Sequence, residues 1–329
     1  MVANQLLSIC IPTYNRMKTL KETLPDLIRK IRNYNIAIYI SDNASTDKTE
    51  DYITSLQSDY PYIFYKKNIS NLGADKNAEN VLKFSTTKYR WLMADHYIVT
   101  DETSINHILP LLKEDYDAII VNYKNRKIIR NTRYIYTDKN MFLEELGWYI
   151  GMMCTTIYHK ETIMKAKFEN FNNSFFLQSL VLLNYISMRK FKIAWIPEEV
   201  TWAFSIKGSK SWHEDVLPIF AQSWTKNILN LNSFDETSKK VCIKRHAAQA
   251  NLFSDKNILL FRYINGITFF KMVKYLHYLP KVTTYDKITK MFLICIIPSR
   301  FIPMIWKNKR EFFKQVLGGI ECYQQKLLF

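Results

Sequence analysis

Four short apolar runs in the first hundred residues each end in a cluster of polar, turn-forming residues, and this repeat leaves few architectures open to the chain. Leu6-Leu7-Ser8-Ile9-Cys10-Ile11 runs into Pro12-Thr13-Tyr14-Asn15-Arg16, and Ile36-Ala37-Ile38-Tyr39-Ile40-Ser41 into Asp42-Asn43-Ala44-Ser45-Thr46-Asp47. Tyr62-Ile63-Phe64-Tyr65 leads to Asn71-Leu72-Gly73, and Tyr89-Arg90-Trp91-Leu92-Met93 to Ala94-Asp95-His96. Between them, Lys18 to Arg32 places Leu20, Leu24, Leu27 and Ile28 on one helical face, with Pro25 as a candidate kink. Ala74 to Phe84 and Glu102 to Leu112 repeat that role. Strand-like runs alternating with helices predict an α/β fold, with parallel strands and crossover connections. In such sheets ligands bind beyond the carboxyl ends of the strands, where the polar clusters sit.

Farther along, Asp117 to Val121, Gly151 to Ile157 and Phe191 to Ile196 read as strands, and Ser174 to Met188 as a helix. Asn125 to Tyr136 suits a hairpin or an excursion to the sheet edge. The expected division is 1–213 as one α/β domain of mixed sheet, with 1–123 its ligand-binding half and 124–213 its acceptor half. A helical, basic region, 214–329, follows. Its predicted helices are Val216 to Leu231, Glu236 to Phe253, Ile258 to His277 and Asp286 to Ile297.

Composition narrows the function classes. With 48% hydrophobic and 23% charged residues the chain folds, and only seven glycines, without GxGxxG or GxxxxGK, leave dinucleotide and P-loop sites unsupported. Five scattered cysteines without CxxC spacing suit reduced thiols and offer no zinc site. The first strand begins almost at once, so no secretory leader and a cytoplasmic active site are expected. The net charge is +16, and residues 231–329 hold 17 Lys+Arg against 6 Asp+Glu. Such an excess suits an anionic membrane surface, nucleic acid or an ordinary solvated face in a lysine-rich chain, and charge is the sole pointer to nucleic acid. Met291 to Trp306 is apolar but shorter than the ~20 residues needed to span a bilayer. It is expected either to be buried or to lie at the interface, flanked by Lys287, Lys290, Lys307, Lys309 and Arg310.

Strand-end Thr13, Asp42 and Asn43 can hydrogen-bond a base or ribose, which apolar side chains cannot do. Asp47 is placed to cap the helix that follows it. Ser8 to Arg16, Ile40 to Asp47, the Asn71, Gly73, Asn77 spacing and Trp91 to Asp95 together resemble the family 2 glycosyltransferases of GT-A fold, and among them abequosyltransferase-like bacterial enzymes of surface-polysaccharide assembly. The resemblance implies hexosyl or deoxyhexosyl transfer from a nucleotide-sugar donor to a glycan acceptor (O-antigen, capsule or related) that is free or lipid-linked. It implies that Pro12, Thr13, Tyr14, Arg16 and Asp42 contact the nucleotide. Lys76 stands where the family has arginine, near the base or phosphates, as an alternative to an ordinary exposed lysine. The family's acidic signature, which holds Mg²⁺ or Mn²⁺, is here reduced to Asp95, followed by His96. Asp95 is a candidate for ribose or metal, and His96 for Mn²⁺, because imidazole suits transition metals. Cationic side chains are the alternative to a metal.

His213, in the run Lys207-Gly208-Ser209-Lys210-Ser211-Trp212-His213-Glu214-Asp215, is a second metal or phosphate candidate. A general base is needed for the acceptor hydroxyl. The family's acidic pair near Phe175-Phe176-Leu177-Gln178 is missing, which leaves Glu198, Glu199, Glu214 and Asp215 as unranked candidates. That erosion motivates the competing expectation of a catalytically impaired, sugar-nucleotide-binding or scaffold protein.

Overall fold

The computed structural model describes residues 3–126, 128, 130–171, 173–204 and 212–305. The chain divides into two compact units, Met1–Phe204 and Ser205–Phe329.

The first unit is a mixed sheet flanked by helices. Its strands are β1 (Leu7–Thr13), β2 (Ala37–Asp42), β3 (Ile63–Lys67), β4 (Tyr89–Leu92), β5 (Tyr97–Val99), β6 (Ala118–Tyr123), β7 (Tyr134–Tyr136), β8 (Thr156–His159) and β9 (Ile193–Ala203). They lie in the order β3-β2-β1-β4-β8-β6-β9-β5, with β7 added against β9. β1 to β4 are mutually parallel, and β8 runs antiparallel to both β4 and β6. The carboxyl ends of β1, β2, β3, β4 and β6 therefore share one edge. The crossovers are α1 (Met17–Ile31), α2 (Thr49–Gln57) and α3 (Ala74–Phe84), followed by α4 (Ser104–Ile108), α5 (Lys139–Phe142), α6 (Lys160–Met164) and α7 (Leu177–Ser187).

Central strands covered on both faces need apolar residues at every position. β2 and β4 are buried throughout, and β1 at all positions but Pro12. α1 turns Leu20, Leu24, Leu27, Ile28 and Ile31 to the core and remains one helix across exposed Pro25. Buried Lys30 is satisfied by Asp26 (2.6 Å) and the Val99 carbonyl (2.8 Å), which ties α1 to β5. Burial pushes the Cys10 thiol up to about 12, an unreactive packing group. Cys10, Cys154, Cys242 and Cys295 are free thiols.

Several expected elements differ. The Glu102 to Leu112 helix is α4 followed by a 3₁₀ stretch, Leu109–Lys113, where Pro110 follows Leu109. Gly151 to Thr155 is not strand: Cys154 and Thr155 donate back to the Met152 carbonyl in a tight turn, and β8 starts only at Thr156. β9 continues past Ile196, because a register shift opposite Asn122 absorbs Pro197, and the strand then pairs with β5. Three-residue β5 itself is too short to carry a sequence pattern of its own.

The second unit is helical: α8 (Trp224–Leu229), α9 (Glu236–Gln249), α10 (Asp255–Tyr263), α11 (Phe269–Tyr275), α12 (Leu279–Val282), α13 (Tyr285–Ile296) and α14 (Ile302–Ile305). A π-helical turn, Leu217–Ser223, precedes α8. The single helix expected from Ile258 to His277 is broken. Asn265 adopts φ +60°, and Gly266 lies so close to the His213 carbonyl that a Cβ there would sit 2.3 Å from its oxygen. α9 likewise stops at Gln249, before Asn251 at φ +51°. Of the apolar run, Met291 to Ile305 forms the end of α13, a 3₁₀ turn Ser299–Phe301 and α14, while Trp306 lies outside the described residues. No helix among the described residues is long and apolar enough to cross a membrane.

Candidate active site

The polar clusters meet at the carboxyl edge of the sheet. Thr13 and Asp42 are register partners at the ends of β1 and β2, and Asp95 lies three residues beyond β4. The Thr13 hydroxyl donates to Asp95 Oδ2 (3.1 Å), and the Thr23 hydroxyl of α1 donates to the Asp95 carbonyl (2.8 Å). Asp95 is thus fixed at both backbone and carboxylate.

Asp42 is fully buried, accepting from Ser45 N–H on Oδ1 (2.8 Å) and from the Tyr65 hydroxyl on Oδ2 (2.6 Å). A carboxylate has about four acceptor positions, so these two bonds do not saturate it. Burial, and then Asp42, push the Tyr65 phenol well above its usual range, so it remains a donor.

Asn43 bridges to the next turn. Its Nδ2 donates to Asn71 Oδ1 (2.7 Å) and the Gly73 carbonyl (3.2 Å), while its Oδ1 accepts from Leu72 N–H (2.9 Å). Asn77, buried on α3, donates to the Thr13 and Ser41 carbonyls (3.2 and 2.9 Å) and accepts from the Ser41 hydroxyl (2.7 Å). Gly73 has φ +84° at the start of α3, a conformation that side chains resist.

The loops after β1 and β2 are locked together. Asn15 N–H donates to Ser45 Oγ, and Thr46 N–H to Asn15 Oδ1, both at 2.8 Å. Asn15 and Ala44 hold φ +52° and +64°, strain of the kind that clusters at functional sites. Pro12 and Arg16 are half-buried, and Tyr14 is 42% exposed. Asp47 accepts from Thr49 N–H at the α2 start and from Met17 N–H at the α1 start, both at 3.1 Å, so it caps two helices. Lys76 pairs with Glu79 (2.8 Å) on α3.

His96 follows Asp95, its Nδ1 3.6 Å from Asp95 Oδ1 and its ring 4.2 Å from that of Tyr97. Its Nε2 is buried without a hydrogen-bond partner. Among the described residues no group of three or more His, Cys, Asp or Glu side chains converges on a metal position. Asp95 and His96 are adjacent oxygen and nitrogen donors, too few to hold a divalent ion by themselves. His213 belongs to the second unit, 3% exposed, with its ring 5.9 Å from that of Phe261, and burial lowers its pKa to about 4. A neutral, enclosed imidazole of this kind is a packing group. Lys207 to Ser211 lie outside the described residues.

The base candidates are dispersed. Glu198 lies 3.0 Å from Arg133 and 3.6 Å from His107 Nδ1. Burial acts to raise its pKa, but its own backbone N–H and Arg133 outweigh this and hold it below the usual range. Glu199 accepts from Asn125 N–H (2.8 Å). Glu214 and Asp215 are exposed on a 3₁₀ turn of the second unit.

Asp75, on the first turn of α3, escaped the sequence reading. Its Oδ2 accepts from Ser174 N–H (2.8 Å) and holds the loop before α7, where Asn173 and Phe175 have φ +61° and +63°. Burial raises its pKa, against the backbone N–H bonds of that loop. The available signal was its place two residues after Gly73. Gln178 donates to the Gly151 carbonyl (2.5 Å), and its buried Oε1 has no hydrogen-bond partner.

The glycosyl transferase family 2 model matches residues 8–186. Abequosyltransferase RfbV of Salmonella typhimurium is 39% identical over 103 residues, 30% of this chain and 31% of that relative's length. Among solved structures, residues 1–349 of S. aureus TarS with UDP-GlcNAc give a TM-score of 0.54 at 14% identity, covering 94% of this chain and 91% of that one. Mannosyltransferase PcManGT from Pyrobaculum calidifontis, with GDP-Man and Mn²⁺, gives 0.52 at 14% identity, covering 94% and 89%. These likenesses describe a GT-A-like fold, and with a family model spanning more than half its length the chain belongs to glycosyl transferase family 2.

Proposed function

We propose that this glycosyltransferase moves a hexosyl or deoxyhexosyl group from a nucleotide-sugar donor to a bacterial glycan, of O-antigen, capsule or related type, that is free or lipid-linked. The observation that supports it most is the convergence of Thr13, Asp42, Asn43 and Asp95 at one sheet edge, with Thr13 bonded to Asp95. Asp42 accepts from base or ribose donors, while Thr13 and Asn43 shape the pocket around them. Pro12 and Tyr14 border the base, and Arg16 and Lys76 supply positive charge toward the phosphates. Asp95 orients the diphosphate end of the donor. Asp95 and His96 are the residues that would hold Mn²⁺ or Mg²⁺, and such an ion would neutralise charge building on the departing diphosphate. The orphaned His96 Nε2 is compatible with a ligand role, and an imidazole favours Mn²⁺ over Mg²⁺.

The acceptor hydroxyl needs a base, and an ion-paired carboxylate held below its usual pKa is a poor one, which ranks Glu199 above Glu198 within the first unit. We place the 1–213 region as the catalytic part, and the basic 214–329 region as a peripheral attachment to the cytoplasmic face of the membrane. Matches to solved GT-A structures with nucleotide-sugar donors favour the donor class.

The test is a thermal-shift screen of UDP-, GDP-, CDP- and dTDP-sugars, with and without Mn²⁺, followed by transfer assays with the donor that binds. Ligand at 100 times its Kd stabilises the folded state by about 2.7 kcal/mol. Asp42→Ala is expected to lose nucleotide affinity by calorimetry while remaining folded. The missing acidic pair before α7 favours one second reading, a binding or scaffold protein of the same fold. Donor binding without transfer to any glycan acceptor selects it.

A further inference from the structure

The second unit leaves an unusual amount of apolar surface uncovered on two helices that touch each other. On α11, Phe270 is 84% exposed and Phe269 and Val273 are each 53% exposed. On α13, Ile296 is 76% and Leu293 59% exposed. The Phe269 ring packs edge-on against that of Phe292 at 5.9 Å, which makes the two helix faces continuous. The opposite faces carry the packing: Met272 and Tyr275 on α11, and Ile288 and Met291 on α13, are buried. Both helices therefore carry bulky apolar groups on the outer side as well as on the packed one.

Charge selects the occupant. Residues 269–305 contain six Lys+Arg and a single acid, Asp286. Lys274 is exposed beside Val273, and Arg300 lies with its guanidinium 4.9 Å from the Phe301 ring centre. A two-fold pairing of this face with a second copy would bring the same cations together. Residues 306–329 contain five Lys+Arg and two acids, so covering the face with that segment also opposes like charge. Anionic lipid head groups meet the cations while the acyl boundary receives the rings.

We propose that the α11–α13 face, led by Phe269 and Phe270, inserts into the interface of an anionic bilayer. This rests on the peripheral membrane reading above and changes its mechanism: insertion of aromatic side chains from α11 carries attachment, with lysine attraction as the assisting force. Salt screens the charges and leaves the apolar contribution in place.

The experiment is flotation of the full chain on phosphatidylcholine vesicles with and without one quarter phosphatidylglycerol, at low salt and at about 1 M NaCl, where the Debye length is about 3 Å. The parent is expected to float on anionic vesicles and to retain a measurable fraction at high salt. Phe269→Ser with Phe270→Ser is expected to lower the partition coefficient at least about tenfold at both salt levels. Far-UV circular dichroism and transfer to a soluble acceptor should remain at parental values. Phe269→Leu with Phe270→Leu is expected to float like the parent, a control for folding. Equal flotation of the serine variant and the parent overturns the proposal and leaves charge alone as the attachment. Absence of flotation by the parent overturns both membrane statements, while a soluble-acceptor assay that still turns over leaves the transferase reading intact. A change of oligomeric state in the serine variant, without loss of flotation, assigns the face to a second copy and equally overturns the proposal.

Discussion

The two units each depart from the usual inside–outside rule, at places of different chemistry. In residues 3–204 the side chains that must stay wet in most proteins are drawn inside: Asp42, Asn43, Asn77 and Asp95 are all buried at the carboxyl edge of the sheet. Each is satisfied by a strand end or a neighbouring loop, and buried polar groups survive only when so satisfied. In residues 212–305 the exceptions are apolar and lie side by side, with Phe269, Phe270 and Val273 exposed on α11 and Leu293 and Ile296 on α13. A departure from the usual inside–outside rule thus singles out one region in each unit. In one it is a prepared hydrogen-bonding edge, and in the other an apolar face.

The comparison breaks first at Asp95. If the buried edge is chemical, Asp95→Asn should reduce sugar transfer by about 10²–10³-fold, the range for removing one preorganised electrostatic group. Thermal stability should hardly change, because the amide keeps the shape and an acceptor for Thr13. Parental turnover would remove Asp95 from the site. A chelator titration on the same enzyme separates metal use from neutralisation by side chains.

Next in size is an acid sensitivity of the second unit that arises at His213. His213 is held neutral with a pKa near 4, against about 6.5 when unfolded. Between these values the unfolded chain binds more protons, so stability is complete above pH 6.5 and lost as pH falls toward 4. The full difference is about 3 kcal/mol. Hydrogen exchange of peptides covering α10 and α11 should speed up between pH 7 and 5, after correction for intrinsic rates, and His213→Phe should flatten that dependence. Equal acceleration across β1 and β2 would show that the effect is not local.

Two glycines give a finer contrast. Gly266→Ala meets the His213 carbonyl and should destabilise by about 3 kcal/mol, since backbone cannot step aside as a flexible side chain can. Gly73→Ala finds nothing within 4 Å, and only its backbone, at φ +84° and ψ 165°, opposes the substitution, at about 2 kcal/mol. Denaturant midpoints measure both. A larger loss at Gly73 would mean that the turn into α3 is more constrained than its open surroundings suggest. Smallest is Asp47→Ala, expected at about 1 kcal/mol for two shared caps.

Much of this was legible in the order of residues. β1, β2 and α3 fall where hydrophobic spacing and turn residues place them, because these elements are local: an apolar run, a breaker and a 3.6-residue stripe each sit within about 15 residues. The strand-end clusters followed from the same logic, since parallel strands deliver their carboxyl ends to one edge. Tertiary structure alone decided what joins those clusters. Nothing in the sequence links Tyr65 to Asp42 across 23 positions, or Asp75 to Ser174 across 99, because such bonds depend on register and loop path. Nor could spacing foresee the break at Gly266, which arises from the approach of a carbonyl 53 residues earlier in the chain. The sequence determined that Phe269 and Phe270 are apolar and helical; which side of α11 would be left open was settled only when Met272 and Tyr275 took the inner one. Local periodicity chooses the element, and long-range packing chooses the face it shows.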